Sequence, residues 1–232
     1  METDTDIYRK HKEYVYNTRI TRSFDLLKNE KINRFLDIGC VDGGFLALFP
    51  KSVKKYGVDI IKRENIRPDI IFKKCDISQG LPFENDFFDA IFTGETIEHV
   101  LDTDFFISEC YRVLKKGGVL VLTTPNTVSF DNLIMWFFKK QLINIDYAMN
   151  QQGHVRYYSP QAIKDQLTKH NFKVKKIWSG SCFIPFVERF IPKSLQKPIQ
   201  KIIDVITFPF GQRGGCLVVK AIKVISVNRL IE

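Results

Sequence analysis

Residues 35–45, FLDIGCVDGGF, are typical of a buried strand that runs into a glycine-rich turn. A dinucleotide-binding turn of the G-x-G-x-x-G type would place glycine at position 41, where the backbone must approach a pyrophosphate. Val41 stands there instead, and Asp42 adds negative charge where a phosphate would lie. Both features count against NAD or FAD, and they favour a ligand that carries positive charge and no phosphate.

Short apolar runs alternate with helix-like stretches through the first part of the chain. Runs rich in Ile, Val, Leu and Phe predict buried strands at 34–38, 55–60, 69–74, 88–93 and 118–124. Between them, residues 103–116 predict an amphipathic helix that the lysines and glycines of KKGG close. This alternation predicts an α/β fold with a parallel sheet covered by helices on both faces.

The alternation of predicted strands and helices ends after Pro125. Residues 126–158 and 179–214 are expected to form two irregular insertions. A helix at 159–172 opens with a serine cap and a proline, and the patterns at 173–178 and 214–224 predict the last strands. We expect one domain over residues 1–232, with the insertions acting as a lid over an acceptor site or as membrane-contact elements.

Composition limits the class of protein. The 232 residues are 44% hydrophobic and carry a net charge of +9, which is typical of a globular chain with a lysine-rich surface. The start of the chain has no apolar signal segment, and the five cysteines have no pairing pattern, so a reducing, cytoplasmic location is expected. Lysines are scattered along the chain rather than gathered in a stripe, which favours a small or lipid-linked partner over nucleic acid. The sequence does not indicate an oligomeric state.

Three aspartates lie at or just after the ends of three successive predicted strands: Asp37, Asp59 and Asp76. Downstream lie LPFENDFFDAIFTGETIEHV (81–100) and ECYRVLKKGGVLVLTTPN (109–126). In this order the motifs resemble the class I S-adenosylmethionine-dependent methyltransferases, in particular those that methylate quinone precursors. The resemblance implies a Rossmann-like fold, in which a seven-stranded, mostly parallel sheet has helices on both faces and an antiparallel last strand.

The resemblance also implies S-adenosylmethionine as cofactor. By the family pattern, Asp59 would accept hydrogen bonds from the ribose hydroxyls, and Asp76 would accept one from the adenine amino group. The cofactor-binding residues implied in this way are Asp37, Gly39, Cys40, Gly43, Asp59, Ile60, Asp76, Ile77, Thr93 and Gly94.

The segment ETIEH places Glu95, Glu98 and His99 at helical spacing i, i+3 and i+4. Two carboxylates and an imidazole on one face are ligands for a divalent metal, and two branches of the family hold a metal in such a cluster. The alternative is that the glutamates favour the dipole of a first helical turn and that His99 packs under the loop. We prefer this alternative, and the sequence leaves open whether these residues bind a metal ion.

His154, in GHVRYY, precedes the predicted helix at 159–172 and is the candidate catalytic base. Histidine as a residue type exchanges protons near neutral pH, which suits removal of a proton from an acceptor hydroxyl. The branch of the family that methylates RNA ribose also uses a downstream histidine, so a metal-assisted RNA ribose 2′-O-methyltransferase is the alternative function. A non-catalytic relative that only binds the cofactor is a third.

Two apolar segments lie within the insertions. Residues 133–138, LIMWFF, precede paired lysines, and residues 194–206 predict an amphipathic helix with apolar positions on one face and lysines on the other. They would cover the core, a dimer partner or a membrane surface. We expect methyl transfer to an oxygen of a small or lipid-linked acceptor, with peripheral membrane contact as one role of the insertions.

Overall fold

A computed structural model describes residues 18–129, 132–133, 136–137, 153–180 and 214–225, together with positions 192, 195, 198 and 202. Its strands are β1 (Arg34–Ile38), β2 (Lys54–Asp59), β3 (Ile70–Lys74), β4 (Phe88–Gly94), β5 (Leu114–Pro125), β6 (Phe172–Gly180) and β7 (Cys216–Lys223). Within these ranges the α-helices are α1 (Thr18–Leu27), α2 (Thr103–Val113) and α3 (Pro160–Lys169). Short 3₁₀ turns lie at Leu46–Leu48, Ile77–Gln79 and Ile97–His99.

The strands form one seven-stranded sheet in the order β3-β2-β1-β4-β5-β7-β6. The pairs from β3 to β5 are parallel, whereas β7 lies between β5 and β6 and is antiparallel to both. The predicted fold class is therefore confirmed, including the antiparallel last strand. Because β1 is central and parallel to its neighbours, its carboxyl end meets those of β2 and β4 at one edge of the sheet.

Apolar side chains fill both faces of the sheet. Along β5, Leu120 and Leu122 pack in one buried cluster, whereas Val119 and Val121 pack in the other, as alternation along a strand requires. Helices α2 and α3 cover the first face through Phe106 and Ile163 among others. Helix α1 covers the second face through Ile20 and Leu27. Helices thus lie on both faces, as expected.

Helix α2 is shorter than the sequence predicted. It begins at its cap, where the Asp102 carboxylate accepts the backbone N–H of Phe105 at 2.9 Å, but it ends at Val113 rather than at residue 116. Leu114 already pairs with Phe88, and the Lys115 ammonium binds the Asp89 carboxylate at 2.5 Å. The KKGG segment therefore belongs to β5, because strand pairing overrides the capping signal.

Helix α3 has the predicted start, since the Ser159 hydroxyl accepts the N–H of Ala162 at 3.2 Å and Pro160 occupies the first turn. It ends at Lys169, and β6 begins at Phe172. Most of the two predicted insertions, and Cys182, lie outside the described residues. In the part of the chain that is described, no helix is long and apolar enough to cross a membrane.

Candidate active site

The glycine-rich loop begins where β1 ends, next to the buried side chain of Asp37. Backbone N–H groups of Gly39 and Cys40 donate to the Val58 carbonyl at 2.9 and 3.2 Å, which ties the loop to the end of β2. The N–H of Gly43 donates to the Cys40 carbonyl at 2.7 Å and closes the turn. The loop is thus a fixed structure at the carboxyl edge of the sheet.

Gly39 and Gly43 are required by the geometry of the loop. Their φ angles are +75° and +81°, which favour glycine. A Cβ atom on Gly39 would lie 2.6 Å from Thr96 Oγ1, and one on Gly43 would lie 1.9 Å from Ile70 Cδ1. Neither position accepts a side chain without displacement of its neighbour.

Val41 has a left-handed backbone, with φ of +53°. A β-branched residue is strained in this region, whereas glycine is not. The loop therefore keeps the backbone shape that glycine would give, with a half-exposed valine in place. The N–H of Val41 donates to Asp59 Oδ2 at 3.0 Å, which fixes the tip of the loop.

Asp59 ends β2 and contacts this loop, and Asp76 follows β3, which pairs with β2. The carboxylate of Asp59 accepts the N–H of Val41 at one oxygen and that of Ile61, at 3.1 Å, at the other. Asp76 is exposed and accepts the N–H of Ser78 at 3.0 Å; hydrogen bonding by the side chain of Ser78, and then by this N–H, lowers the pKa of Asp76. Each carboxylate oxygen has two lone pairs, so these bonds leave acceptor capacity toward a ligand.

Negative charge is concentrated at this edge. Burial raises the pKa of Asp37 well above its usual range, and the neighbouring charges of Asp42 and Asp59 add to the effect. Burial, followed by the charge of Asp37, likewise raises the pKa of the Cys40 thiol to about 12. Such a loop stabilises a cation placed beside it, and the thiol stays protonated at neutral pH.

The remaining predicted cofactor residues frame the same edge. Ile60 is 58% exposed, whereas Ile77 is partly buried against the core. Thr93 pairs with Ile38 across the β1–β4 ladder, and its buried hydroxyl has no hydrogen-bond partner among the described residues. A Cβ atom on Gly94 would lie 2.8 Å from the Phe92 ring, so this glycine is needed for packing.

A second group of polar side chains lies just beyond β4. Ligand atoms of Glu98, His99 and His154 all lie within 4.8 Å of one another. The two imidazole rings are 4.7 Å apart in an edge-to-face arrangement. One carboxylate and two imidazoles form a donor set that suits a divalent transition metal, so these residues fit a metal site.

Glu98 is fully buried, and neither carboxylate oxygen has a hydrogen-bond partner among the described residues. Burial raises the pKa of Glu98 to about 8, and the negative charge of Glu95 adds to the effect. Partial burial lowers the pKa of His99, as does positive charge on His154. A buried carboxylate without a partner is costly, and a cation or a proton would relieve that cost.

Glu95 does not join this cluster, which corrects the expected helical arrangement. Residues 95–99 do not form an α-helix: a 3₁₀ turn covers Ile97–His99, and Glu95 has a left-handed φ of +50°. Its carboxylate binds Arg19 Nη1 at 3.0 Å and accepts the Thr123 hydroxyl at 2.9 Å. The expected α-helix is absent: Glu98 alone lies in the first turn of the short 3₁₀ helix, and Glu95 precedes it and pairs with Arg19.

Backbone hydrogen bonds bring His154 to Glu98. The N–H groups of Val155 and Arg156 donate to the Glu98 carbonyl at 2.8 and 3.1 Å, and the Tyr157 hydroxyl donates to the His154 carbonyl at 2.9 Å. The side chain of His154 is buried. The predicted catalytic residue thus lies in the cluster.

Sequence reasoning missed two residues that hold the site together. Arg19, on α1, supplies the counter-charge to Glu95. The Thr96 hydroxyl donates to the Ile38 carbonyl at 3.2 Å, and this bond sets the β4 loop against the glycine-rich loop. No pattern marks Arg19, since its partner lies far away in the sequence, whereas Thr96 stands within the ETIEH motif.

Comparison with known proteins supports one family. Residues 8–177 match the model of a methyltransferase domain. The chain is 27% identical over 168 residues to the mitochondrial ubiquinone biosynthesis O-methyltransferase of Rattus norvegicus, with 66% of this chain and 48% of that protein covered. It is 28% identical over 168 residues to the ubiquinone biosynthesis O-methyltransferase of Pelagibacter ubique, with 68% of each covered. The chain spans about half the length of the mammalian relatives that it matches.

Solved structures share the fold. An S-adenosylmethionine-dependent methyltransferase from Thermotoga maritima superposes with a TM-score of 0.60 at 20% identity, over 95% of this chain and 96% of that one. The family match covers most of the chain, and the sheet order and the glycine-rich loop agree with it. The chain therefore belongs to the methyltransferase-domain family, as a class I member that uses S-adenosylmethionine.

Proposed function

We propose that this protein transfers the methyl group of S-adenosylmethionine to an oxygen atom of a small or lipid-linked acceptor. The acidic loop supports the donor half of the proposal. S-adenosylmethionine carries positive charge at its sulfonium and amino groups, which would stabilise the charged carboxylate of Asp37. The free lone pairs of Asp59 suit the two ribose hydroxyls, and the exposed Ile60 offers an apolar surface to the adenine.

The observation that carries the acceptor half is the cluster of Glu98, His99 and His154 next to this loop. Methyl transfer to a hydroxyl requires removal of its proton and exclusion of water. Buried His154 would take that proton, and the carboxylate of Glu98, within 4.8 Å, would stabilise the imidazolium that results. A divalent cation bound by the same three residues would instead polarise the acceptor oxygen and lower its pKa.

The two ubiquinone relatives support oxygen as the acceptor atom, and the named relatives together support a quinone-type ring as its setting. The rat and Pelagibacter ubique proteins are ubiquinone biosynthesis O-methyltransferases, and a relative from Bacteroides fragilis, 32% identical over 117 residues, is a demethylmenaquinone methyltransferase. Apolar side chains are also exposed close in the sequence to the cluster residues, namely Leu101, Val155 and Tyr157. Exposed apolar groups of this kind suit an apolar, hydroxylated ring.

The test is methyl transfer from isotopically labelled S-adenosylmethionine to a cell extract, followed by separation into lipid, RNA, protein and small molecules. We expect label in the lipid or small-molecule fraction, in an O-methyl group identified by mass spectrometry. Glu98→Gln and His154→Ala should abolish it, whereas His170→Ala, which alters a partly buried histidine paired with Asp104, should not. Loss of turnover in chelator, restored by Mg²⁺, Mn²⁺ or Zn²⁺, would assign the cluster to a metal.

Two outcomes would count against the proposal. Label in RNA that disappears at high salt would favour a ribose methyltransferase, because phosphate contacts release counterions. Cofactor binding by calorimetry without label in any fraction would favour a non-catalytic relative.

A further inference from the structure

Apolar side chains are exposed on a helical segment that starts next to the active site. The Ser129 carbonyl accepts the N–H of Leu133 at 3.0 Å, and the amide of buried Asn132 donates to the carbonyl of Asn126 at 3.0 Å. Leu133 and Trp136, at helical spacing i and i+3, are 43% and 59% exposed, and the adjacent Phe137 is 73% exposed. One face of this segment therefore presents large apolar groups to its surroundings.

A second helical segment shows the same property. Leu195 and Ile202 are 50% and 57% exposed and lie seven positions apart, so the helix that the sequence predicts over 194–206 would carry both on one face. The sequence pattern assigns both to the apolar side of an amphipathic helix over 194–206. Their exposure shows that this apolar side is not fully used to cover the core.

The two insertions leave the sheet at one place, beside the cluster of Glu98, His99 and His154. Asn126 starts the first insertion, and its backbone and side-chain amides donate to the carbonyls of Gly215 and Gly214 at 2.8 and 2.6 Å. The N–H of Gly214 donates to the Ser179 hydroxyl at 3.2 Å, where the second insertion begins. The N–H of Thr127 donates to the Tyr158 carbonyl at 3.0 Å, so the first insertion returns to the same edge.

We propose that the apolar residues Leu133, Trp136, Phe137, Leu195 and Ile202 form a membrane-contact surface that binds an anionic phospholipid bilayer. The neighbouring charges select this partner. Residues 132–143 contain two lysines and no acid, and residues 193–206 contain three lysines and one aspartate. Lysine beside exposed aliphatic and tryptophan side chains is the pattern of an interfacial helix.

A second copy of the chain fits this surface less well. In a symmetric dimer the same patch would face itself, so the flanking lysines would repel one another. Anionic headgroups would attract them. The bilayer proposal concerns lipid binding and stands whether or not the methyl acceptor comes from the membrane, although an acceptor held in lipid would reach the cluster from this edge.

The first experiment uses the fluorescence of Trp136. The chain has two tryptophans, and Trp178 in β6 is replaced in a Trp178→Phe variant so that Trp136 alone reports. With vesicles of phosphatidylcholine mixed with phosphatidylglycerol at low salt, we expect a blue shift of the emission and quenching by brominated lipid. Vesicles of phosphatidylcholine alone should give a much smaller shift. Unchanged emission, with the protein left in the supernatant after sedimentation, would overturn the proposal.

The second experiment compares variants by sedimentation with the same mixed vesicles. Trp136→Glu and Ile202→Glu should each weaken vesicle binding by about tenfold or more, because each places a charge on the face that would enter the bilayer. Ile225→Glu is the matched control, since Ile225 is 53% exposed and lies two residues after β7, and it should bind like wild type. Equal binding by all variants would overturn the proposal, as would light scattering that shows dimers which dissociate in Trp136→Glu. If Trp136→Glu fails to fold, Ile202→Glu and the fluorescence shift still decide.

Discussion

Arg19 and Glu95 form an ion pair, with 3.0 Å between Nη1 and Oε2, that joins helix α1 to the loop after β4. The Thr123 hydroxyl donates to the other oxygen of Glu95 at 2.9 Å. These contacts keep Glu95 outside the cluster of Glu98, His99 and His154, although its charge still raises the pKa of Glu98. The ion pair thus links the first described helix to the electrostatics of the active site.

Replacement of this arginine should change cation binding at the cluster. In Arg19→Ala the charge of Glu95 is no longer offset, so we expect Mn²⁺ to bind about three- to tenfold more tightly, as for one partly exposed charge a few ångströms away. Isothermal titration measures the affinity. Arg22→Ala is the control, because Arg22 lies on the same helix and pairs with Asp25 instead. A weaker or unchanged affinity in Arg19→Ala would show that Arg19 does not lower the affinity of the cluster for Mn²⁺.

The buried carboxyl of Glu98 should make the metal-free protein less stable as pH rises. Its pKa is raised from 4.5 to about 8, so between these values the folded chain keeps a proton that the unfolded chain has lost. The free energy of unfolding must then fall with rising pH through this window. In Glu98→Gln this loss is absent. From pH 6 to pH 8 the free energy of unfolding of the variant should therefore rise by about 2 kcal/mol relative to that of wild type.

Urea unfolding in chelator at both pH values measures this difference. Asp37, whose pKa is also raised, contributes equally to both proteins, so the difference isolates Glu98. Parallel stability curves for wild type and Glu98→Gln would contradict the prediction.

Loss of the Asp59 carboxylate should weaken cofactor binding. Asp59→Ala removes an acceptor for the ribose hydroxyls and also the two bonds that hold the N–H groups of Val41 and Ile61. We expect the affinity for S-adenosylhomocysteine to fall by about 1–3 kcal/mol, as for charge-assisted hydrogen bonds left unmade. Calorimetry measures this affinity. The control is Asp86→Ala, which alters an ion pair with Lys223 instead. An unchanged affinity would remove Asp59 from the site.

Relief of the strained loop position should stabilise the fold. At φ of +53°, Val41→Gly removes a left-handed strain of about 1–2 kcal/mol and adds a smaller entropic cost to folding. We expect a net gain of about 0.5–1 kcal/mol, or roughly 1–4 °C in Tm for a chain of this size. Ile61→Gly is the control: Ile61 is exposed and does not have a positive φ, so this variant should lose stability. A lower Tm in Val41→Gly would mean that the valine side chain has a packing role.

The sheet was predictable because each buried strand is a short apolar run bounded by glycine, aspartate or proline. The predicted limits of β1 agree with the structure, and those of β2 and β4 differ by about one residue. The end of α2 was not predictable, because KKGG is a good helix terminus locally. Only the pairing of Leu114 with Phe88 ends the helix at Val113.

The sequence by itself determined the donor side of the site, since aspartates that follow parallel strands must gather at one edge of the sheet. The tertiary structure alone decided which polar groups meet beyond β4. Helical spacing grouped Glu95 with Glu98 and His99, but the 3₁₀ turn and the distant Arg19 turn Glu95 away. His154 takes its place, because two backbone N–H groups bind the Glu98 carbonyl and carry the histidine to the cluster. Such long-range contacts leave no local pattern in the sequence.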